Sequence, residues 1–199
     1  MRIVVFGATG TVGRAIVAEL AQRHSVIRVS RTTGDYQADV SDLARVRSVL
    51  EAIGPVDAVI CATGRVHFAP LTDMTPELFQ VGIRDKLMGQ VNVVLAGQKL
   101  VKDGGSFTLS TGILANEYIR EGSSASMVNG ALEAFVRAAA IELPRGLRIN
   151  AVNASVLEEA LPAYGPYFRG FEAVPASRVA LAYCKSVEGA QTGQIYLVR

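Results

Sequence analysis

The sequence predicts a doubly wound α/β domain, a parallel sheet of about seven strands with helices on both faces. Three observations carry this reading. Short runs rich in β-branched residues alternate with stretches of helical period. Half of the 199 residues are hydrophobic and only 19% are charged, enough apolar side chain to cover a sheet on both faces. The first run, Ile3-Val4-Val5-Phe6, breaks directly into Gly7-Ala8-Thr9-Gly10-Thr11-Val12-Gly13 and then opens into a helix.

Taken in order, the first strand covers about residues 2–6, and its helix carries Val12, Ile16 and Leu20 at four-residue spacing. Val26 to Ser30 makes a second strand that ends at Arg31. A short third strand near Tyr36 to Val40 precedes a helix from about Ser41 to Ile53, capped by Ser41 or Asp42. Gly54-Pro55 stops that helix, and Val56 to Cys61 is a buried fourth strand. One long helical stretch then runs from about Pro76 to Lys102 and stops at Gly104-Gly105, with Ser106 to Ser110 as the fifth strand. A helix from about Ser124 to Leu143 repeats Val128, Leu132, Phe135 and Ala139 on one face and ends at Pro144-Arg145-Gly146. Leu147 to Val152 supplies a sixth strand. From Asn153 to Pro175 the chain is too apolar for a linker and too broken for a helix. Its Tyr164, Tyr167, Phe168 and Phe171 form either a wall over a small apolar substrate or a satellite of the core. A helix at Ala176 to Val187 and a strand at Gln194 to Val198 complete the pattern. No repeat or domain boundary interrupts it, so residues 1–199 read as a single domain.

The glycines at 7, 10 and 13 have separate tasks in a dinucleotide-binding turn. Gly7 permits the tight turn, Gly10 lets backbone approach a pyrophosphate, and Gly13 allows close packing of helix and strand. The following helix points its N–H groups at the phosphates. The formal net charge of +2, without a Lys/Arg cluster, argues against a nucleic-acid partner. No leader segment and no apolar stretch of membrane-spanning length is apparent, so no membrane partner is expected. Cys61 and Cys184, both in apolar surroundings, read as reduced core thiols of a cytoplasmic protein. No metal site is expected.

With this layout the chain resembles the short-chain dehydrogenase/reductase family along almost its whole length, and a Rossmann-like fold follows. Gly7-Ala8-Thr9-Gly10-Thr11-Val12-Gly13 looks like that family's glycine turn, and Ala38-Asp39-Val40 like the segment whose Asp contacts the adenine. Cys61-Ala62-Thr63-Gly64 sits where the family usually has Asn-Asn-Ala-Gly. Arg148 to Val152 resembles its sixth strand and Thr192-Gly193-Gln194 its last. Registering the helix on Ala131-Leu132 puts Ala125 where the resemblance expects the catalytic Tyr and Asn129 where it expects the Lys. The family's Asn falls at Lys86, in Lys86-Leu87-Met88-Gly89, and its Ser at Ser110 or Thr111. The resemblance also implies a homodimer or homotetramer built on that helix, whose Gly130, Ala131, Ala134, Ala138 and Ala139 would let a second copy approach.

The resemblance makes the expected cofactor NADP(H). The second strand ends Ser30-Arg31-Thr32, with no carboxylate until Asp35, and an Arg flanked by hydroxyls suits a ribose 2′-phosphate. The alternative for Arg31 is a solvated charge at a strand end, and for Asp39 a helix cap. The cofactor-binding set is therefore Gly7, Thr9, Gly10, Thr11, Val12, Gly13, Ser30, Arg31, Asp39, Val40, Ala62, Thr63 and Gly64. The expected function is an NADP(H)-dependent oxidoreductase acting on a small carbonyl or alcohol substrate through a non-standard proton relay. Ser110, Thr111 and Lys86 are its candidate catalytic residues; His67 and Tyr118 are further possible donors. The alternative is a catalytically silent NADP(H)-binding sensor.

Overall fold

The computed structural model describes residues 1–199 as one seven-stranded sheet in the order β3-β2-β1-β4-β5-β6-β7, with every pairing parallel. The strands are β1 (Arg2–Phe6), β2 (Ser25–Ser30), β3 (Tyr36–Gln37), β4 (Val56–Cys61), β5 (Val101–Ser110), β6 (Arg148–Ala154) and β7 (Ile195–Val198). Helices α1 (Thr11–Leu20) and α7 (Ala176–Glu188) cover one face, where Ile3, Val5, Ile16, Leu20, Ala180 and Tyr183 pack together. Helices α2 (Leu43–Ile53), α4 (Gly89–Gly97) and α5 (Ser123–Glu142) cover the other, around Val4, Phe6, Leu50, Val93, Phe107 and Leu132. Central strands buried on both faces are why β1 and β4 read as unbroken apolar runs. The strand order reverses between β1 and β4, and the carboxyl ends on either side of that reversal are where ligands bind in such sheets.

Asp42 caps α2, accepting the Arg45 amide at 3.0 Å, and Ser41 does not. The third strand is confined to Tyr36–Gln37, because the chain leaves the sheet edge at Ala38 to lead into that cap.

The expected helix from Pro76 to Lys102 is corrected in two ways. It is built as α3 (Pro76–Gly82), a π-helical turn (Ile83–Met88) and α4, and it ends at Gly97. Gly97 lies under Phe107, where a Cβ would stand 2.7 Å from the ring, and the chain turns there into β5. Gly104-Gly105, taken as a helix stop, instead lies within β5 at an irregularity of its pairing with β4. A Cβ at Gly105 would come within 2.6 Å of the Asp57 carbonyl oxygen, so only glycine fits the bulge.

The segment before α7, expected to be non-helical, contains one short helical stretch. It runs through Glu158–Ala160, α6 (Leu161–Tyr164) and Gly165–Tyr167. Phe68, from the loop after β4, packs on the Tyr164 and Tyr167 rings, each with its centroid at 5.7 Å. No helix is long and apolar enough to cross a membrane. Both cysteines are buried and unpaired, and burial pushes the Cys61 thiol up to about 12.

Candidate active site

Two concavities open at the carboxyl ends of the strands and share Ala62, Thr63 and Gly64 as a common wall. The narrower, a groove of about 170 Å³, runs past Gly7, Thr9 and Gly10 to Ser30, Arg31, Ala38, Asp39 and Val40. Its floor is set by backbone. Gly7 has φ +82°, and a Cβ there would lie 2.4 Å from the Ala62 carbonyl oxygen. A Cβ on Gly13 would stand 1.9 Å from the Gly7 carbonyl oxygen, so α1 can start against the turn only with glycine at that place. Gly10 differs. A Cβ there would meet only the Gly7 oxygen at 3.4 Å, so the space above it is free for an external group.

At the far end of the groove the Ser30 hydroxyl donates to the Thr33 carbonyl, and its oxygen accepts the Thr33 amide at 3.1 Å. Ser30 therefore holds the turn that carries the exposed Arg31. Asp39 accepts the Ser41 amide at 2.9 Å and the Ser41 hydroxyl at 2.7 Å, bonds that hold its carboxyl below the usual range. The cap alternative for Asp39 is thus set aside, since Asp42 holds that place, and Asp39 lines the groove with its carboxyl bonded to Ser41. The open cradle over Gly10 beside an arginine fits a phosphorylated dinucleotide.

The wider cleft, about 360 Å³, is mostly apolar and collects side chains from many elements. Lys86 arrives from the π-helical turn, Ser110 and Thr111 from the end of β5, Ala125 and Asn129 from α5, and Tyr183 from α7. Thr11 and Val12, expected in the nucleotide set, line this cleft and not the groove. Leu114, Val156, Tyr164 and Phe168 line the cleft, so two of the four aromatics of that segment face it, while Tyr167 and Phe171 line separate surface hollows. His67 and Tyr118 are not brought in. Val66 and Phe68 on either side of His67 turn inward, and Tyr118 is 74% exposed elsewhere on the surface.

Lys86 is the one charged residue lining the cleft. Its stem lies on Gly64, where a Cβ would come 2.5 Å from Lys86 Cγ. The neighbouring Asp85 is engaged by Arg65, accepting from its amide at 2.7 Å and its Nε at 3.0 Å. No protein acceptor engages the Lys86 ammonium, and burial pushes its pKa down to about 8. A π-turn adds a residue to a helix and re-aims one side chain, and here that side chain is Lys86.

Sequence reasoning missed the residues that hold this geometry. Gln90, fully buried in α4, donates to the Ser110 carbonyl and accepts the Ser110 amide, both at 2.8 Å, and so pins the end of β5. Asn92, two residues on, donates to the Val40 carbonyl at 3.0 Å and pins the Asp39-Val40 end of the groove. Thr111 donates to Glu133 at 3.3 Å, and Asn153 donates to the same carboxylate oxygen at 2.5 Å. The signal was available: Gln90, Asn92 and Glu133 are polar residues at positions where the helical period calls for the core face. Asn129 Oδ1 is buried without a partner.

A family model described as Enoyl-(Acyl carrier protein) reductase matches residues 2–196. L-xylulose reductase of Bos taurus is 26% identical over 174 residues, covering 78% of this chain and 71% of that protein. Among solved structures, the protein lin1944 from Listeria innocua is 47% identical and superposes with a TM-score of 0.98 over the whole of both chains. A small-chain dehydrogenase in complex with NADPH is 25% identical, with a TM-score of 0.89 over 100% of this chain and 96% of that one.

Proposed function

Since the chain belongs to the short-chain dehydrogenase/reductase family, and is thereby an oxidoreductase by kinship, we propose that it reduces a small carbonyl compound with NADPH, or runs the reverse reaction, using Lys86 at the reacting oxygen. The observation that carries this is the unpaired ammonium of Lys86, aimed into an apolar cleft that adjoins the nucleotide groove. Gly7, Gly10 and Gly13 would seat the pyrophosphate, Arg31 the 2′-phosphate, and Thr11, Val12, Ala62 and Tyr183 would border the nicotinamide. The reduced nicotinamide, when bound, supplies a hydride.

Ala125 and Asn129 stand where the resemblance expects the family's Tyr and Lys, so in this reading the positive charge reaches the cleft from the π-turn packed beside α5. In a site walled by Leu114, Val156 and Phe168, an ammonium donates to a carbonyl oxygen more strongly than it does in water. With its pKa near 8, Lys86 also carries a proton it can release near neutral pH. Thr111, whose proton is directed to Glu133, offers its lone pairs to the cleft and orients whatever donor lies there.

Titration of the protein with NADPH and NADH by nicotinamide fluorescence, followed by loss of nicotinamide absorbance on a carbonyl panel, tests this reading. Lys86→Met is expected to retain NADPH binding and to lose about 10²–10⁴ in turnover. Tight NADPH binding without turnover by the wild type on any carbonyl would instead assign a sensor, which the Ala125 and Asn129 positions favour. The exposed Ala134 and Ala138 and the open Gly130 on α5 are the surface on which a homodimer or homotetramer would form. Sedimentation of wild type and Ala134→Arg checks that arrangement.

A further inference from the structure

We infer that the cleft takes a monoanionic carbonyl compound, a 2-oxo acid with an apolar or aromatic side chain, whose carboxylate is bound by Lys86. This deepens the oxidoreductase reading and rests on it for the reaction, though not for the binding.

The Lys86 ammonium has three N–H donors, and none of them meets a protein acceptor here. The one carboxylate beside it, Asp85, is occupied by Arg65 through two bonds. The groups facing it from other elements are neutral: Thr63 from the loop after β4, Ser110 and Thr111 from β5, Asn129 from α5, and the Tyr183 phenol from α7, which burial keeps protonated. Arg65 points to the groove and is neutralised by Asp85, so it adds no second cation to the cleft.

A charge half-buried in an apolar cleft is stabilised by a counter-ion, and the nearest carboxylate, Asp85, is already bonded to Arg65. The cleft therefore carries one uncompensated positive charge, which suits one negative charge on the ligand and not two. Two acceptors on adjacent carbons, a carbonyl oxygen and a carboxylate oxygen, match two donors of the same ammonium. The aromatic wall of Phe68, Tyr164 and Phe168 leaves the rest of the ligand an apolar environment, unsuited to a chain of hydroxyls.

In the reaction, the C2=O π bond breaks, C2 gains the hydride of the reduced nicotinamide dinucleotide, and the oxygen gains the proton of Lys86. Lys86 then recovers its proton from water, and the carboxylate is unchanged. Two electrons pass from the dinucleotide to C2, giving a 2-hydroxy acid.

The probes are phenylpyruvate and its neutral counterpart 1-phenylpropan-2-one, measured by calorimetry on protein loaded with NADP⁺, where no reduction takes place. Phenylpyruvate is expected to bind roughly 10- to 100-fold more tightly than the ketone. Lys86→Met should abolish that preference, weakening phenylpyruvate far more than the ketone, Lys86→Arg should restore part of it, and the preference should fade as pH rises through about 8. The same ratio is expected in kcat/KM with NADPH. Equal affinity for the two probes, or a preference that survives in Lys86→Met, overturns the inference. Turnover of the ketone with no anion preference leaves the oxidoreductase reading standing and removes this one. Anion preference without turnover of either probe does the reverse.

Discussion

The nucleotide groove and the reaction cleft share a wall, yet they are made of different material. The groove is shaped by backbone: its floor is a turn in which two glycines are demanded by contacts of 2.4 and 1.9 Å, while a third keeps space open. The cleft is shaped by side chains from many elements, held in place by buried hydrogen bonds through Gln90, Glu133 and Asn153. The groove is consequently intolerant of an added atom at Gly7 and Gly13, though not at Gly10. The cleft tolerates changes in shape, and its chemistry hangs on one charge.

The sharpest way to break this contrast is within the glycine turn itself. Gly13→Ala forces a Cβ onto the Gly7 carbonyl and is expected to destabilise the fold by about 3 kcal/mol or more, read by denaturant unfolding. Gly10→Ala, with only a 3.4 Å contact to accommodate, should leave the unfolding midpoint nearly unchanged while weakening NADPH binding at least tenfold. If both variants unfold alike, the groove is not shaped as described.

On the cleft side, Glu133→Ala removes the acceptor of Thr111 and Asn153 and is expected to cost about 2–3 kcal/mol of stability. Glu133→Gln, which keeps an acceptor, should cost less. At the edge of the groove, Arg31→Ala is expected to weaken NADP(H) binding by about 1.5–3 kcal/mol and to leave NAD(H) binding unchanged. Equal losses for both dinucleotides would remove Arg31 from the phosphate site.

The smallest effect sharpens the role of charge. Burial holds Lys86 at about 8 against an ordinary 10.5, so between those values the unfolded chain binds the extra proton and stability rises with pH. Below pH 8 the charged ammonium destabilises the fold in full. Lys86→Met should therefore be the more stable protein at pH 7, by about 1–3 kcal/mol, with the difference shrinking as pH approaches 10.5. A variant that is inactive yet more stable is the signature of a group kept for function. Thermal unfolding of both proteins across that pH range provides the check.

The errors in reading the sequence follow the same division. Gly104-Gly105 resembles a helix stop because glycine is common there, but a β-bulge needs glycine for its own reason, and only the Asp57 carbonyl 2.6 Å away distinguishes the two. The π-turn at Ile83–Met88 leaves no mark in a helical period that continues on both sides. Val12 fits the apolar stripe of α1 but sits half-buried at the cleft, since the first turn of that helix projects beyond the sheet.

The sequence by itself determined the alternation of strands and helices, the parallel sheet, and the turn at Gly7 to Gly13. These depend on neighbours within a few residues, and steric rules for glycine and the period of apolar side chains act at that range. The tertiary structure alone decided that Lys86 faces Ser110, Thr111 and Asn129, that Asp85 is spent on Arg65, and that Gln90 and Asn92 anchor the two ends of the site. Those meetings join residues 20 to 52 positions apart, and whether a lysine there is solvated or stranded depends on which acceptors the fold brings within reach of its ammonium.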